Sequence, residues 1–144
     1  EQPIHMAWGV GEATWDNVTP PPEDVNAVTL LSEVGRRAVF EKRFVIPNND
    51  GDIVVPNGRF SFSDIPTRNV YFSFKLDFED AADKIIRELA VYTNTETDSA
   101  LPPGQKYFLG THITNQGILL LLENITPVYR NAATRETFEF VVTL

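Results

Sequence analysis

Cysteine is absent from the 144 residues, and methionine occurs only once. Without thiols there is no disulfide, thiolate metal site, iron–sulfur cluster or cysteine nucleophile. Packing, backbone pairing or a partner must therefore hold the chain together. Long apolar runs are missing too: the longest, Ile118–Leu122, is far short of the roughly 20 residues that a membrane helix needs. Positive charge is scarce, with 12 Lys and Arg against 20 Asp and Glu, a net charge of −8. Nucleic-acid and anionic-lipid binding are driven by Lys and Arg, so neither nucleic acid nor membrane is an expected partner. Glu1 to His5 lack the basic and apolar regions of a signal peptide, so no export is expected. Phosphate-loop, dinucleotide and Gly-x-Ser-x-Gly patterns are also lacking, and Gly9-Val10-Gly11 has no third glycine in place.

What is present is a globular composition: 42% hydrophobic residues, with ten Phe, four Tyr and two Trp. The length fits one domain with a self-sufficient core. Residues 1–25, with Thr19-Pro20-Pro21-Pro22, read as an extended Pro-rich N-terminal arm, pinned by Trp8 and Trp15 either to its own domain or to a neighbour. Val28, Leu31 and Val34-Gly35 are compatible with a short helical turn, after which Val39 to Ile46 alternates as a strand. Pro47 to Gly51 is a turn, Ile53–Val55 a short strand, and Arg59–Ser63 another. Val70 to Phe78 is the clearest alternating run, and Lys84 to Thr93, which can be read two ways, is favoured as a strand by its β-branched ends. Thr95 to Gln105 reads as a long surface loop, Gly117 to Ile125 as a strand buried on both faces, and Arg135 to Leu144 as the last strand. The fold class predicted is all-β, an antiparallel β-sandwich over residues 26–144.

Candidate chemistry is thin. Glu79, Asp80 and Asp83 sit between two strands as a solvated acidic turn. Asn48 to Asp52 fails the calcium-loop pattern, because positions six and twelve hold Ile53 and Arg59. His5 and His112 lack metal-ligand spacing and read as surface or edge histidines. The sequons at Asn17 and Asn124 are read as chance matches. In an acidic chain, Arg36 and Arg37 beside Glu33 read as carboxylate partners, within or between subunits. No catalytic residue, cofactor or metal is expected.

Ala82 to Tyr92, then Leu101 to Phe108, then Gly117 to Asn124, resemble small tail proteins of contractile-tailed bacteriophages. Glu33 to Arg37, Pro127 to Arg130 and Thr134 to Phe140 resemble the same group, and the Ile-Arg-Glu strand answered by Gly-Ile-Leu-Leu is also similar to N-terminal attachment domains of phage tail fibres. The resemblance implies a virion structural protein made in the host cytoplasm. It would act in the baseplate or at a tube–sheath–fibre junction by assembly with other tail proteins and with copies of itself, not by catalysis. Expected interface residues are Trp8 and Trp15 as arm anchors, with Arg36, Arg37, Arg87 and Arg130 as intersubunit or core ion-pair residues. The alternatives are a glycan-binding β-sandwich and a glycan hydrolase, the latter needing two convergent carboxylates.

Overall fold

The computed structural model describes residues 3–144. These residues form twelve strands and two 3-10 turns, with no α-helix among them. In chain order the strands are β1 (Ile4–Gly9), β2 (Glu33–Ala38), β3 (Glu41–Pro47), β4 (Ile53–Val55), β5 (Gly58–Phe62), β6 (Asn69–Leu76), β7 (Ile85–Thr93), β8 (Glu96–Thr97), β9 (Tyr107–Leu109), β10 (Ile113–Asn115), β11 (Ile118–Tyr129) and β12 (Glu136–Thr143). The all-β prediction holds, and the pairings that fix the sheets are antiparallel. Two compact units emerge, each discontinuous in sequence: unit 1 is Glu1–Ala38 with Leu76–Glu136, and unit 2 is Val39–Lys75 with Thr137–Leu144.

Unit 1 is built on a five-stranded sheet in the order β11-β7-β1-β2-β9, with β8 and β10 paired separately. The N-terminal residues supply its middle strand. Met6 lies opposite Arg37 of β2 on one side and Val91 of β7 on the other. All six residues of β1 are buried. A strand buried on both faces has no polar alternation to reveal it, and Ile4-His5-Met6-Ala7-Trp8-Gly9 accordingly reads as irregular sequence. The extended Pro-rich arm predicted over residues 1–25 is therefore not seen, since residues 4–9 form the middle strand of the sheet; Glu1 and Gln2 lie outside the described residues. His5, predicted at a surface or edge, is 6% exposed inside this central strand. Its ring meets Phe108 edge-on at 5.6 Å.

On the sheet face bearing Ala7, a core cluster unites Ala7, Leu30, Ala90 and Tyr92, with Leu119 and Leu122 against it. Fully burying a side chain such as Leu30 contributes roughly 1.5–3 kcal/mol. β11, predicted to be buried on both faces, is instead the sheet's edge strand, and its four consecutive leucines are half-buried. Gly117 leads into it with φ +83°, and a Cβ there would run into the Thr93 carbonyl, so only glycine makes this turn. No helical turn forms over residues 25–32; the segment is irregular and lies against the sheet through Leu30.

Unit 2 is built on the sheet β12-β6-β3-β5-β4. The alternation of β3, β5 and β6 places Val45, Phe60 and Tyr71 in one core cluster with Ile53, Val55 and Val141. The predicted turn after β3 is present: the Asn48 side chain accepts from the Asp50 N–H at 2.9 Å, and its carbonyl accepts from Gly51 N–H at 3.0 Å.

Candidate functional site

Between β1 and β2 the chain runs through residues 10–32 as a strap over unit 1, and charged side chains of the sheet hold it there. The central group is Glu88 of β7, 1% exposed. Its carboxylate accepts hydrogen bonds from the backbone N–H groups of Gly11 (3.1 Å), Leu31 (2.8 Å) and Ser32 (2.7 Å). A buried carboxylate is costly unless such donors replace its water. Here three main-chain donors do so, and both ends of the strap are fixed to one side chain. Arg87, next in sequence, holds the middle: it pairs with Asp16 at 2.5 Å and donates to the Val10 carbonyl at 2.8 Å. The Arg87 hydrogen bond holds the Asp16 carboxyl below the usual carboxylate range. Trp15, one residue before, is buried.

The other residues singled out in the sequence also lie in unit 1. Trp8 is 1% exposed, and its indole N–H donates to the Tyr107 hydroxyl at 2.6 Å. Arg36, as deeply buried, pairs with Glu33 at 2.9 Å, donates to the Thr95 hydroxyl and the Gln116 carbonyl, and stacks 3.9 Å over the Tyr92 ring. Arg37 pairs with Asp80 at 3.0 Å. Among the described residues Arg130 meets no carboxylate: it donates to the carbonyls of Asp77 (2.7 Å), Asp80 (3.0 Å) and Thr134 (2.9 Å), closing the Glu79–Asp83 turn as a backbone clamp. Trp15, Asp16 and Arg87 come together around the strap, whereas Trp8, Arg36, Arg37 and Arg130 serve separate contacts.

Glu88 was not among the residues chosen from sequence. The signal was present: it is the one charge on the face Ile86, Glu88, Ala90 and Tyr92, and a lone carboxylate among buried apolar neighbours requires local donors.

Two concave regions open on unit 1. The first is a cavity of about 590 Å³ between strap and sheet, walled by Trp15, Pro22, Val28, Leu31 and Leu122. The second, about 490 Å³, is lined by Arg37, Asp80, Lys106 and Tyr107 together with the exposed pair Arg135–Asp77 at 3.0 Å. Two of its cations are paired, Arg37 with Asp80 and Arg135 with Asp77, and the Arg135 guanidinium also lies over Phe78 at 4.4 Å. Among the described residues, no three His, Asp or Glu side chains gather as a metal site. No helix among the described residues is long and apolar enough to cross a membrane. What this geometry offers is shaped surface over a well-pinned scaffold.

In comparison with known families, the model for the family described as "Baseplate wedge 3 tail fiber network component" matches residues 1–144. No curated protein matches the chain.

Proposed function

The chain belongs to the family of baseplate wedge 3 tail fiber network components, structural proteins of the phage baseplate and tail, and from that membership we propose that it joins the baseplate wedge to the fibre network of a contractile tail. It acts by protein–protein assembly, with other baseplate and tail proteins and with copies of itself, and without catalysis. The observation that carries this reading is the family match along the whole chain. It is supported by the engagement of the charged groups chosen from sequence, Arg36, Arg37, Arg87 and Arg130, in holding their own unit together. On this reading these residues and the two tryptophans are positioning residues that keep the surface presented to neighbours in shape. For the architecture, we propose a β-sandwich, a reading supported by two five-stranded antiparallel sheets.

The glycan-binding alternative needs free aromatic faces grouped in one loop set. Three of the exposed rings, Phe40, Phe62 and Phe78, instead carry Lys75, Arg43 and Arg135 upon them, at 3.8, 3.7 and 4.4 Å, and the other two, Phe44 and Tyr129, lie on strands β3 and β11 rather than in one loop set. That observation favours assembly over sugar recognition.

The test is removal of the gene for this chain from the phage, followed by mass spectrometry and electron microscopy of purified tails. The expected result is that the chain is present in wild-type tails and that tails made without it lose fibres from an otherwise formed baseplate. Complete, fibre-bearing tails lacking the chain would overturn the proposal.

A further inference from the structure

The outward surface of the strap is apolar and acidic at once. Residues 10–32 carry Glu12, Asp16, Glu23 and Asp24 and no Lys or Arg. Arg87 takes up Asp16, while Glu12, Glu23 and Asp24 are exposed. Glu23 and Asp24 stand at a fixed turn. Glu23 accepts from the Asn124 N–H of β11 at 2.9 Å; Asp24 accepts from the Asn26 N–H at 2.9 Å through its carboxylate and from the Ala27 N–H at 3.0 Å through its carbonyl. Val25, in this turn, is 95% exposed. Val28 and Leu31, at 66% and 61%, wall the groove between strap and sheet together with Asp24. Apolar side chains grouped and left open in this way mark a contact surface.

Unit 2 presents a surface of the opposite sign. Val45 of β3 faces the core cluster, so by alternation Lys42, Phe44 and Ile46 face the other way, and all three are exposed. On the neighbouring β5, Ser61 lies opposite Ile46, and Arg59 lies opposite Val54 of β4. Arg59 and Val54 are exposed too, on the face turned from Phe60, Ile53 and Val55 of the core. Phe44, Ile46 and Val54 are 39%, 44% and 64% exposed. The charges that these three strands place on this face are Lys42 and Arg59, both positive. Glu41 alternates to the opposite face, and Asp50, Asp52 and Asp64 stand outside the strands, before β4 and after β5.

We propose that the strap of one copy of this chain docks on the β3–β5–β4 face of the next, Lys42 and Arg59 meeting Glu23 and Asp24 while Phe44 and Ile46 cover Val25 and Val28. The inference rests on the assembly reading above and names one contact between copies. Charge selects the arrangement. Unit 1 holds fifteen acidic and seven basic residues, the whole net charge of −8, whereas unit 2 holds five of each. Two straps face to face would repel, and two β3–β5–β4 faces would set Lys42 and Arg59 against their own copies. Joining strap to face avoids both. Such a contact is heterologous: it repeats head to tail and builds a ring or an open row of copies rather than a closed symmetric pair.

The test is light scattering of the full chain over a wide range of concentration, at low and at high salt. Mass is expected to rise with concentration beyond that of a dimer, and salt to weaken the association, because the pairing charges are exposed. Two double variants each spoil one side: Phe44→Thr/Ile46→Thr on the face and Val25→Lys/Val28→Lys on the strap. All four side chains are exposed, so the urea unfolding curves are expected to match wild type. Val54→Lys and Val25→Lys alone read the same two surfaces should either pair destabilise the fold. Each variant by itself is expected to associate at least tenfold more weakly than wild type. An equimolar mixture of the two should recover association and stop at a dimer, since one intact strap then meets one intact face. A wild-type chain that stays monomeric overturns the proposal, as does association that neither variant weakens. A mixture that fails to recover association overturns it too, since the contact would then be symmetric. In phage carrying the face variant, reduced content of the chain in purified tails is expected. Normal content overturns this contact alone, and absence of the wild-type chain from tails overturns the assembly reading beneath it.

Discussion

Replacing His5 by phenylalanine should remove most of the acid sensitivity of this fold between pH 7 and pH 5. His5 lies in the middle strand of the unit 1 sheet, 6% exposed, and its Nδ1 is buried without a hydrogen-bond partner. Burial, followed by the charges of Arg36 and Lys106, lowers its pKa from 6.5 to about 4. The folded state therefore refuses a proton that the unfolded chain accepts throughout that interval. Stability is present in full above pH 6.5 and is lost as pH falls towards 4. With 1.36 kcal/mol per pKa unit, the total loss is about 3 kcal/mol, of which about 2 kcal/mol has gone by pH 5. The raised Glu123 acts in the opposite sense, since its folded form takes up a proton more readily than the unfolded one. Urea unfolding followed by circular dichroism at pH 7 and pH 5 measures the difference directly. Wild type should lose about 2 kcal/mol and His5→Phe less than about 0.5 kcal/mol. Any constant packing penalty of the larger ring cancels between the two pH values. Equal losses in the two proteins would show that His5 is not the proton-linked group.

Three further perturbations test how unit 1 is held together. Glu88→Ala deprives Gly11, Leu31 and Ser32 of their acceptor, at roughly 1–3 kcal/mol for each N–H; thermolysin should then cut residues 10–32 rapidly, and unchanged resistance would refute the clamp. Arg130→Met, which removes the donations to three carbonyl oxygens, is expected to cost about 3 kcal/mol and lower Tm by about 10 °C in a scanning calorimeter. A shift under about 3 °C would place the stability of the Glu79–Asp83 turn elsewhere. Trp8→Phe and Tyr107→Phe each break one buried hydrogen bond, so a double-mutant cycle should show about 1 kcal/mol of coupling, and additive losses would deny the contact its energetic role.

The strands that were legible in the sequence are those with one wet face or strong β-branching. β6 announced itself by alternation, and β7 by Ile85-Ile86 and Val91-Tyr92-Thr93. β1 did not, because both of its faces are buried and nothing polar marks a period. The leucines of β11 gave a strand but not its place at the edge, since strand order depends on pairing partners 25 to 44 residues away. The arginines stood out as rare cations in an acidic chain, and the structure then supplied their acceptors, half of which are backbone carbonyls with no sequence signature. The groove was not legible at all. It arises where an irregular, proline-bearing strap meets β7 and β11, a juxtaposition set by Glu88 and by tertiary packing rather than by any local pattern.

The position of β1 also sets an order of events during synthesis. Of the twelve strands described, the earliest to leave the ribosome is the middle of its sheet: β2 can join it once residue 38 has emerged, but β7 completes its other side only at residue 93, and β11 closes the edge at residue 129. Between those moments one backbone edge of β1 stands open while the whole of unit 2 except β12 is being made. Folding that must wait for partners so distant in sequence is slow, and an unpaired edge invites the wrong strand in the meantime. A chain with this connectivity gains from a strap whose own carboxylates and prolines make poor β-pairing material, because the residues that emerge beside the open edge do not readily pair with it.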